Sequence, residues 1–365
     1  YPAAADMALA ASAPILGYRG LTDQYGWNRV ATATCERQAP GCPATIRAGF
    51  AALLAAPAAQ ALTLDEQRAE YRAALADLYA VRLTSFEQRL ERLADYPLLP
   101  YLHYQRLMRY VSTATPAEVD AFRTRFAETP LADIALRQWL DNLARRGEWA
   151  LYAAHYDADI ANRTSHECRY HRAQFEIGER DAAFAGARRL WLVDHSQPDV
   201  CDPLFRAWQQ AGGIDDALAW QRLHLAVAAG RPGLGSYLTR FLAEGPSRTL
   251  GEQYLALHRS PHRLARLDRV GDGRWPEREA QIVAHTLERL ARRDAALAEA
   301  QWSEWRARLD FAPHQAAAVR EDILRYAARQ DRDPGLLLAD WPPPELAENV
   351  ASDLVEELAR GAIAA

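Results

Sequence analysis

The chain has 365 residues, of which 49% are hydrophobic and 25% charged, with a formal net charge of −5. That is ordinary globular composition, not that of a collagenous or disordered chain, and the net acidity argues against a general nucleic-acid binder, which would be basic. No apolar run is long enough for a membrane-spanning helix. Ala, Leu, Arg and Glu, all helix formers, dominate, whereas Val and Ile are scarce, so the expected fold class is all-α. All 43 basic residues are Arg. Such a surface suits anionic polymers or planar carboxylates, and a GC-rich coding sequence produces the same bias.

Residues 1–46 show no clear period and carry Cys35 and Cys42. They read as a poorly ordered run-in, either read-through upstream of the true start or part of an open fragment, since the chain opens with Tyr1 rather than Met. "AGFAALLAAPAAQA", Ala48 to Ala61, is too short to span a bilayer but has the form of a signal-peptide core. Arg47 precedes it and Ala59-Gln60-Ala61 supplies a small-residue cleavage site. The other reading is an Ala-rich helix broken by Pro57. The expected organisation is therefore a run-in with signal peptide over 1–61 (core about 47–61) and a helical domain over 62–365.

From Thr63 onward the helical pattern is nearly unbroken. Thr63 and Glu66 have capping-box spacing, and Leu75, Leu78 and Tyr79 continue an apolar face. "TSFEQRLERLADYPLLPYLHYQRLMRY" gives a second helix, a break at Pro97 and Pro100, and a third. Thr115-Pro116 and Thr129-Pro130 start the next two. Gly147, Gly178 and Gly230 then each close an apolar-periodic segment, and Tyr152, Ala183 or Gly235 follows five residues later. This is the grammar of helical hairpins with a Gly C-cap. The first interval resembles a tetratricopeptide period, and the second is lengthened by an extra helix around Leu204 to Gln210. The expected architecture is a degenerate α-solenoid. In the hairpin at Gly178, Tyr170, Ala173 and Ile177 form one face, and Ala183, Gly186, Ala187, Leu190 and Trp191 the other. Small Gly186 and Ala187 permit close approach, and such a stripe needs neighbours to bury it. Four further helical segments follow from Thr249, and "DWPPPELAENVASDLVEELARG" reads as a proline stop and a last helix.

Cys168 lies early in one helix of that hairpin and Cys201 just after the other. An antiparallel hairpin returns the chain to its starting end, so the two sulfurs can meet; the alternative is two buried thiols. A bridge fits an oxidising compartment, in agreement with export.

Few residues promise chemistry. His166, Cys168 and His171 in "HECRYH" lack the second ligand pair that a structural zinc site needs. "GRPGLG" (Gly230 to Gly235) lacks the Lys-Ser/Thr ending and the preceding strand of a phosphate loop, and reads as a turn. His258 and His262 are candidate acid/base groups but read as solvated loop residues, and Asp272 and Glu277 as turn and helix-start residues. Tyr101, Tyr104, Trp139, Trp149, Trp191, Trp208, Trp220, Trp302 and Trp305 include candidate sugar-stacking rings, but most are expected in the core. No cofactor is implied.

Three stretches go further: "LADYPLLPYLHYQRL" (Leu93–Leu107), "ECRYHRAQFEIGERDAAFAGARRLWL" (Glu167–Leu192) and "SQPDVCDPLFRAW" (Ser196–Trp208). Together they resemble the N-terminal superhelical domain of the soluble lytic murein transglycosylases in order, spacing and both cysteines. The resemblance covers about residues 62–365 and thins toward the C-terminus. It implies a ring- or U-shaped superhelix in a periplasmic protein that handles peptidoglycan strands. The parent enzyme would cleave the MurNAc–GlcNAc bond to leave 1,6-anhydro ends. In that family catalysis belongs to a lysozyme-like domain C-terminal to the superhelix, where one Glu acts as acid and then base. That domain's landmarks are a Glu-Ser pair, a Gly-Leu-Met-Gln stretch and an Ala-Tyr-Asn-Ala-Gly stretch, and the sequence contains none of them. No catalytic residue carries over, and this stretch alone is expected to be inactive, truncated before its catalytic partner domain. The rival expectation is an exported tetratricopeptide-like adaptor that binds proteins.

Overall fold

The structure, a computed structural model, describes residues 62–330. The expectations for the run-in, the signal peptide and the last helix lie outside that range. Among the described residues there are helices and no strand. The chain divides into two compact units, one ending at Leu99 and the other beginning at Pro100.

In the first unit, α1 (Leu64–Tyr79) and α2 (Leu83–Arg92) pack as a hairpin. The expected capping box is present: the Thr63 hydroxyl accepts from Glu66 N, and the Glu66 carboxylate accepts from Thr63 N. Ala74, Leu78, Phe86, Leu90 and Leu93 form the buried seam. Tyr79 departs from expectation, being 57% exposed at the end of α1, while Asp77 is buried. Asp77 is held there by Arg82 Nε at 2.8 Å and Arg89 Nε at 2.7 Å. Arg89, and to a lesser degree Arg82, depresses its carboxyl below the usual range. A periodicity count prefers Tyr at such a site; two guanidiniums make an acid the better occupant.

The second unit opens with α3 (Leu99–Arg109). Residues 93–98, with Pro97 among them, separate α2 from α3. Pro100, expected as a break, sits in the first turn of α3, where a missing N–H forfeits no helical bond. Next come α4 (Pro116–Arg125), α5 (Pro130–Arg146), α6 (Trp149–His155), α7 (Thr164–Glu176) and α8 (Arg180–Trp191). They are followed by α9 (Asp202–Gln210), α10 (Asp216–Ala228), α11 (Pro232–Leu238), α12 (Pro246–Arg259), α13 (Pro276–Ala291), α14 (Ala295–Trp305) and α15 (Pro313–Arg329). Short 3₁₀ turns cover Asp199–Cys201, Thr239–Phe241 and Pro261–Arg266. Gly147, Gly178 and Gly230 have φ of 72°, 94° and 74°, as helix-ending residues in the left-handed region do. Each is followed by the second helix of its pair, and α9 is the interrupting helix. "GRPGLG" is a turn only up to Arg231; from Pro232 it is α11, and Gly235 there packs against Val227 and Leu255.

Neighbours in sequence are neighbours in space: α6 on α7, α7 on α8, α10 on α11, α13 on α14 and on α15. One apolar core joins α7 through α15, and another surrounds Trp139 and Tyr152 in α5 and α6. The all-α expectation of irregular helical hairpins holds.

Ala183, Gly186, Ala187, Leu190 and Trp191 are all buried, as the spacing requires. The facing helix is less apolar than expected. Ile177 is 42% exposed at the C-cap of α7, whereas His166, His171 and Gln174 are buried. The cause is Gly186: a Cβ there would stand 2.3 Å from the His171 ring, so the imidazole occupies the space that a side chain would fill. His171 Nδ1 donates to Gln174 Oε1 at 2.7 Å and Nε2 accepts from Arg189 at 3.3 Å. This arrangement suits a neutral ring, and burial, aided by Arg189, lowers its pKa.

Cys168 and Cys201 are joined, with Cα atoms 5.0 Å apart and a sequence separation of 33. A loop of that length gives about 4 kcal/mol on the chain-entropy model. The bridge ties α7 to the turn before α9 and closes the hairpin.

Candidate functional site

None of the residues singled out in sequence converges on a reactive centre. Cys168 is bridged. His166 is buried beside Tyr152, whose hydroxyl donates to the His166 carbonyl at 3.0 Å. Among the described residues no group of three His, Cys, Asp or Glu side chains has the placement to hold a metal ion. Of the aromatic residues, Trp139, Trp191, Trp208, Trp220, Trp302 and Trp305 are core, while Trp149 and Tyr104 are partly buried and Tyr101 is exposed. Glu277 is exposed in the first turn of α13, and His262 is exposed in the 3₁₀ turn.

His258 corrects the loop expectation. It is buried in the last turn of α12, and its Nδ1 lies 2.9 Å from Nε2 of His285 on α13, the rings stacked within 4° of parallel. A loop reading fails because His285, 27 residues away, provides the partner that makes burial affordable. Burial first and then Arg289 push His258 down to about 4; burial and then His258 push His285 down to about 3. The pair is neutral at ordinary pH. Tyr254, fully buried, meets His285 edge-on and bonds His224 Nδ1 through its hydroxyl at 2.9 Å. Trp220 stacks on Tyr254 and donates its indole N–H to Gln281 at 2.8 Å. Further along α13, burial raises the Glu288 carboxyl to about 7, with the Asp322 charge adding to it.

This polar-aromatic band continues into a built pocket. Between the last 3₁₀ turn and α13 runs Val270-Gly-Asp-Gly-Arg-Trp275. Gly271 and Gly273 have φ of 72° and 83°, which side-chain-bearing residues rarely adopt. The loop is pinned from beneath: Gly271 N donates to Gln253 Oε1 at 3.0 Å, and Gly273 N to the buried Glu279 carboxylate at 2.8 Å. A Cβ on Gly271 would strike that carboxylate at 2.3 Å, so the sequence at this corner is dictated by close approach.

The loop, the N-terminal turns of α12 and Trp275 enclose an open pocket of about 410 Å³. Its walls are Pro246, Thr249, Leu250, Gln253, Asp272 and Trp275, with Gly245 and Gly271. Arg278 supports Trp275. Its guanidinium lies over the Trp275 ring at 5.1 Å and the Trp220 ring at 5.0 Å. It is fixed there by Asp216 Oδ2 at 2.8 Å and Ser247 Oγ at 3.1 Å. Asp216 Oδ1 also accepts from Ser247 Oγ at 2.6 Å and Ala243 N at 2.8 Å. Burial works to raise the Asp216 carboxyl, but the bonds from Ser247, Ala243 and Arg278 outweigh it, so it stays ionised. The hub thus joins α10, α12 and α13 behind one aromatic wall. Sequence reasoning overlooked Trp275. The available signal was the paired glycines immediately before a Trp-Pro helix start.

Such a site offers an apolar wall, an amide, a hydroxyl and a carboxylate already paired with Arg274 at 3.2 Å. It can bind; it holds no nucleophile with an adjoining base.

No protein-family model matches the chain. Among characterised proteins it is 29% identical to a soluble lytic murein transglycosylase of Escherichia coli over 252 residues, 68% of this chain but 38% of that protein. A Salmonella typhimurium protein of the same description is 32% identical over 180 residues, 49% of this chain and 28% of its own length. Among solved structures, an inactive variant of lytic transglycosylase Slt from Pseudomonas aeruginosa aligns with a TM-score of 0.64 at 29% identity, covering 80% of this chain and 46% of that one. The 70-kDa soluble lytic transglycosylase in complex with bulgecin A shares the fold, with a TM-score of 0.61 at 24% identity, covering 83% of this chain and 50% of the other. The chain therefore spans half or less of the length of these relatives. In both sequence and fold the chain is similar to a helical stretch of the soluble lytic murein transglycosylases.

Proposed function

We propose that this chain is the non-catalytic superhelical part of a periplasmic enzyme that cleaves the MurNAc–GlcNAc bond of peptidoglycan and leaves 1,6-anhydro-muropeptides. The observation that carries the reading is agreement between sequence and fold: 29% identity to a murein transglycosylase over 252 residues, and a TM-score of 0.64 to a lytic transglycosylase Slt. The Cys168–Cys201 bridge, which belongs in an oxidising compartment, supports it. Within this reading the helices support a lysozyme-like domain and present a surface to glycan strands.

The test is incubation of the purified chain with murein sacculi. The expected result is co-sedimentation with the sacculi and no soluble anhydro-muropeptides by mass spectrometry. Release of anhydro products would refute the non-catalytic assignment. Failure to sediment with sacculi would overturn the glycan-handling role and favour the protein-binding adaptor.

A further inference from the structure

We infer that the pocket beside Trp275 is a saccharide subsite that takes one N-acetylhexosamine unit. The inference rests on the peptidoglycan reading for its biological ligand, but its physical grounds are local. The volume, about 410 Å³, lies at the small end of the roughly 300–1,000 Å³ typical of small-molecule sites. A pyranose is amphipathic, with a C–H face on one side and hydroxyls around its edge, and the pocket has the matching division. With Arg278 over one face of the Trp275 indole, the rest of the ring is left to wall the pocket. Leu250 and Pro246 continue the apolar side, and there an acetamide methyl can lodge.

The polar side has spare hydrogen-bonding capacity. Gln253 uses its carbonyl oxygen on Gly271 N, and its amide N–H groups remain for a ligand oxygen. Asp272 accepts from Arg274 N at 3.2 Å and retains lone pairs for sugar hydroxyls or the acetamide N–H. Thr249 donates to Gly245 O at 3.1 Å and can still accept. Charge points to an uncharged ligand, since Asp272 is paired with Arg274 and Arg278 with Asp216. Preorganisation points the same way. Two left-handed glycines, a buried Glu279 and the Asp216–Arg278 hub hold these groups before any ligand arrives, which lowers the entropy cost of binding.

The experiment titrates an N-acetylglucosamine trimer into the full chain and follows indole N–H resonances by NMR. The Trp275 signal is assigned as the one missing from Trp275→Phe. The expected result is a saturable shift of that signal and a weaker response to a glucose trimer. Thr249→Phe, a change at an exposed position that fills the mouth, should raise Kd at least tenfold with an unchanged melting temperature. A Trp275 signal that does not move, or a Thr249→Phe variant that binds as well as the parent, overturns the subsite. Sacculus co-sedimentation separates the two readings. Sedimentation without a Trp275 response sinks the subsite and leaves the peptidoglycan role standing. A Trp275 response without sedimentation keeps the subsite and sinks that role.

Discussion

The α7–α8 hairpin and the α10–α12–α13 block share one apolar core, yet they are held by different means. The hairpin is closed by contacts between residues near in sequence: a small-residue stripe, an imidazole seated on Gly186, and a disulfide over 33 residues. The block is joined by polar groups from three helices and their loops, through Asp216 to Ser247 and Arg278, His258 to His285, and Tyr254 to His224. Local covalent and steric closure makes a rigid unit. A distributed polar network makes a surface whose groups can be set for recognition, at the cost of sensitivity to charge.

Four measurements break or sharpen this contrast. The largest effect belongs to the hairpin: Cys168→Ser with Cys201→Ser should cost about 4 kcal/mol in denaturant unfolding. Reductant should reproduce that loss in the parent protein and change nothing in the double variant. A loss below about 1 kcal/mol would show that packing alone closes the hairpin.

The second effect belongs to the block and comes from acid. His258 titrates at about 4 when folded against 6.5 ordinarily, so the unfolded chain binds its proton first as pH falls. Stability is then fully present above pH 6.5 and declines as pH drops toward 4, by about 3 kcal/mol for one such group. His258→Gln should flatten that stretch of the stability–pH curve. An unaltered slope would mean that other groups carry the acid response.

Third, Gly186→Ala should destabilise by about 2 kcal/mol, because the new methyl meets a buried ring with little room to retreat. A neutral result would show that the His171 ring swings out freely. The smallest effect is Asp216→Asn, about 1.5 kcal/mol, from weakening charge-assisted bonds to Arg278 and Ser247. It should also disturb the Trp275 indole resonance, since Arg278 is the group behind that ring. A drop in stability with Trp275 unmoved would separate the hub from the pocket.

Much of the fold was legible because its signals are local. Thr63 caps as its spacing from Glu66 demands, and Thr115-Pro116 starts α4 as expected. Gly147, Gly178 and Gly230 end helices where only a left-handed residue fits, and the α8 stripe is buried residue for residue. The misreadings share one cause. Ile177, Tyr79 and His258 were judged by their own hydropathy and neighbours, whereas their burial was decided by partners elsewhere. His171 takes the space over Gly186, two arginines bury Asp77, and His285 satisfies His258. The candidate site was nearly invisible for the same reason: Gln253, Gly271 and Trp275 are unremarkable until α12 and the loop before α13 bring them to one corner.

By itself the amino-acid order determined helices, their caps, the hairpin grammar, the pairing of Cys168 with Cys201 as one of two readings, and the resemblance to murein transglycosylases. All but the resemblance follow from periodicity and spacing, which act over a few residues or one returning helix. Tertiary structure alone decided which polar side chains go inside, which arginine stands behind which indole, and where a pocket opens. Those outcomes depend on groups that meet across tens of residues, and their free energy exists only once the helices are packed.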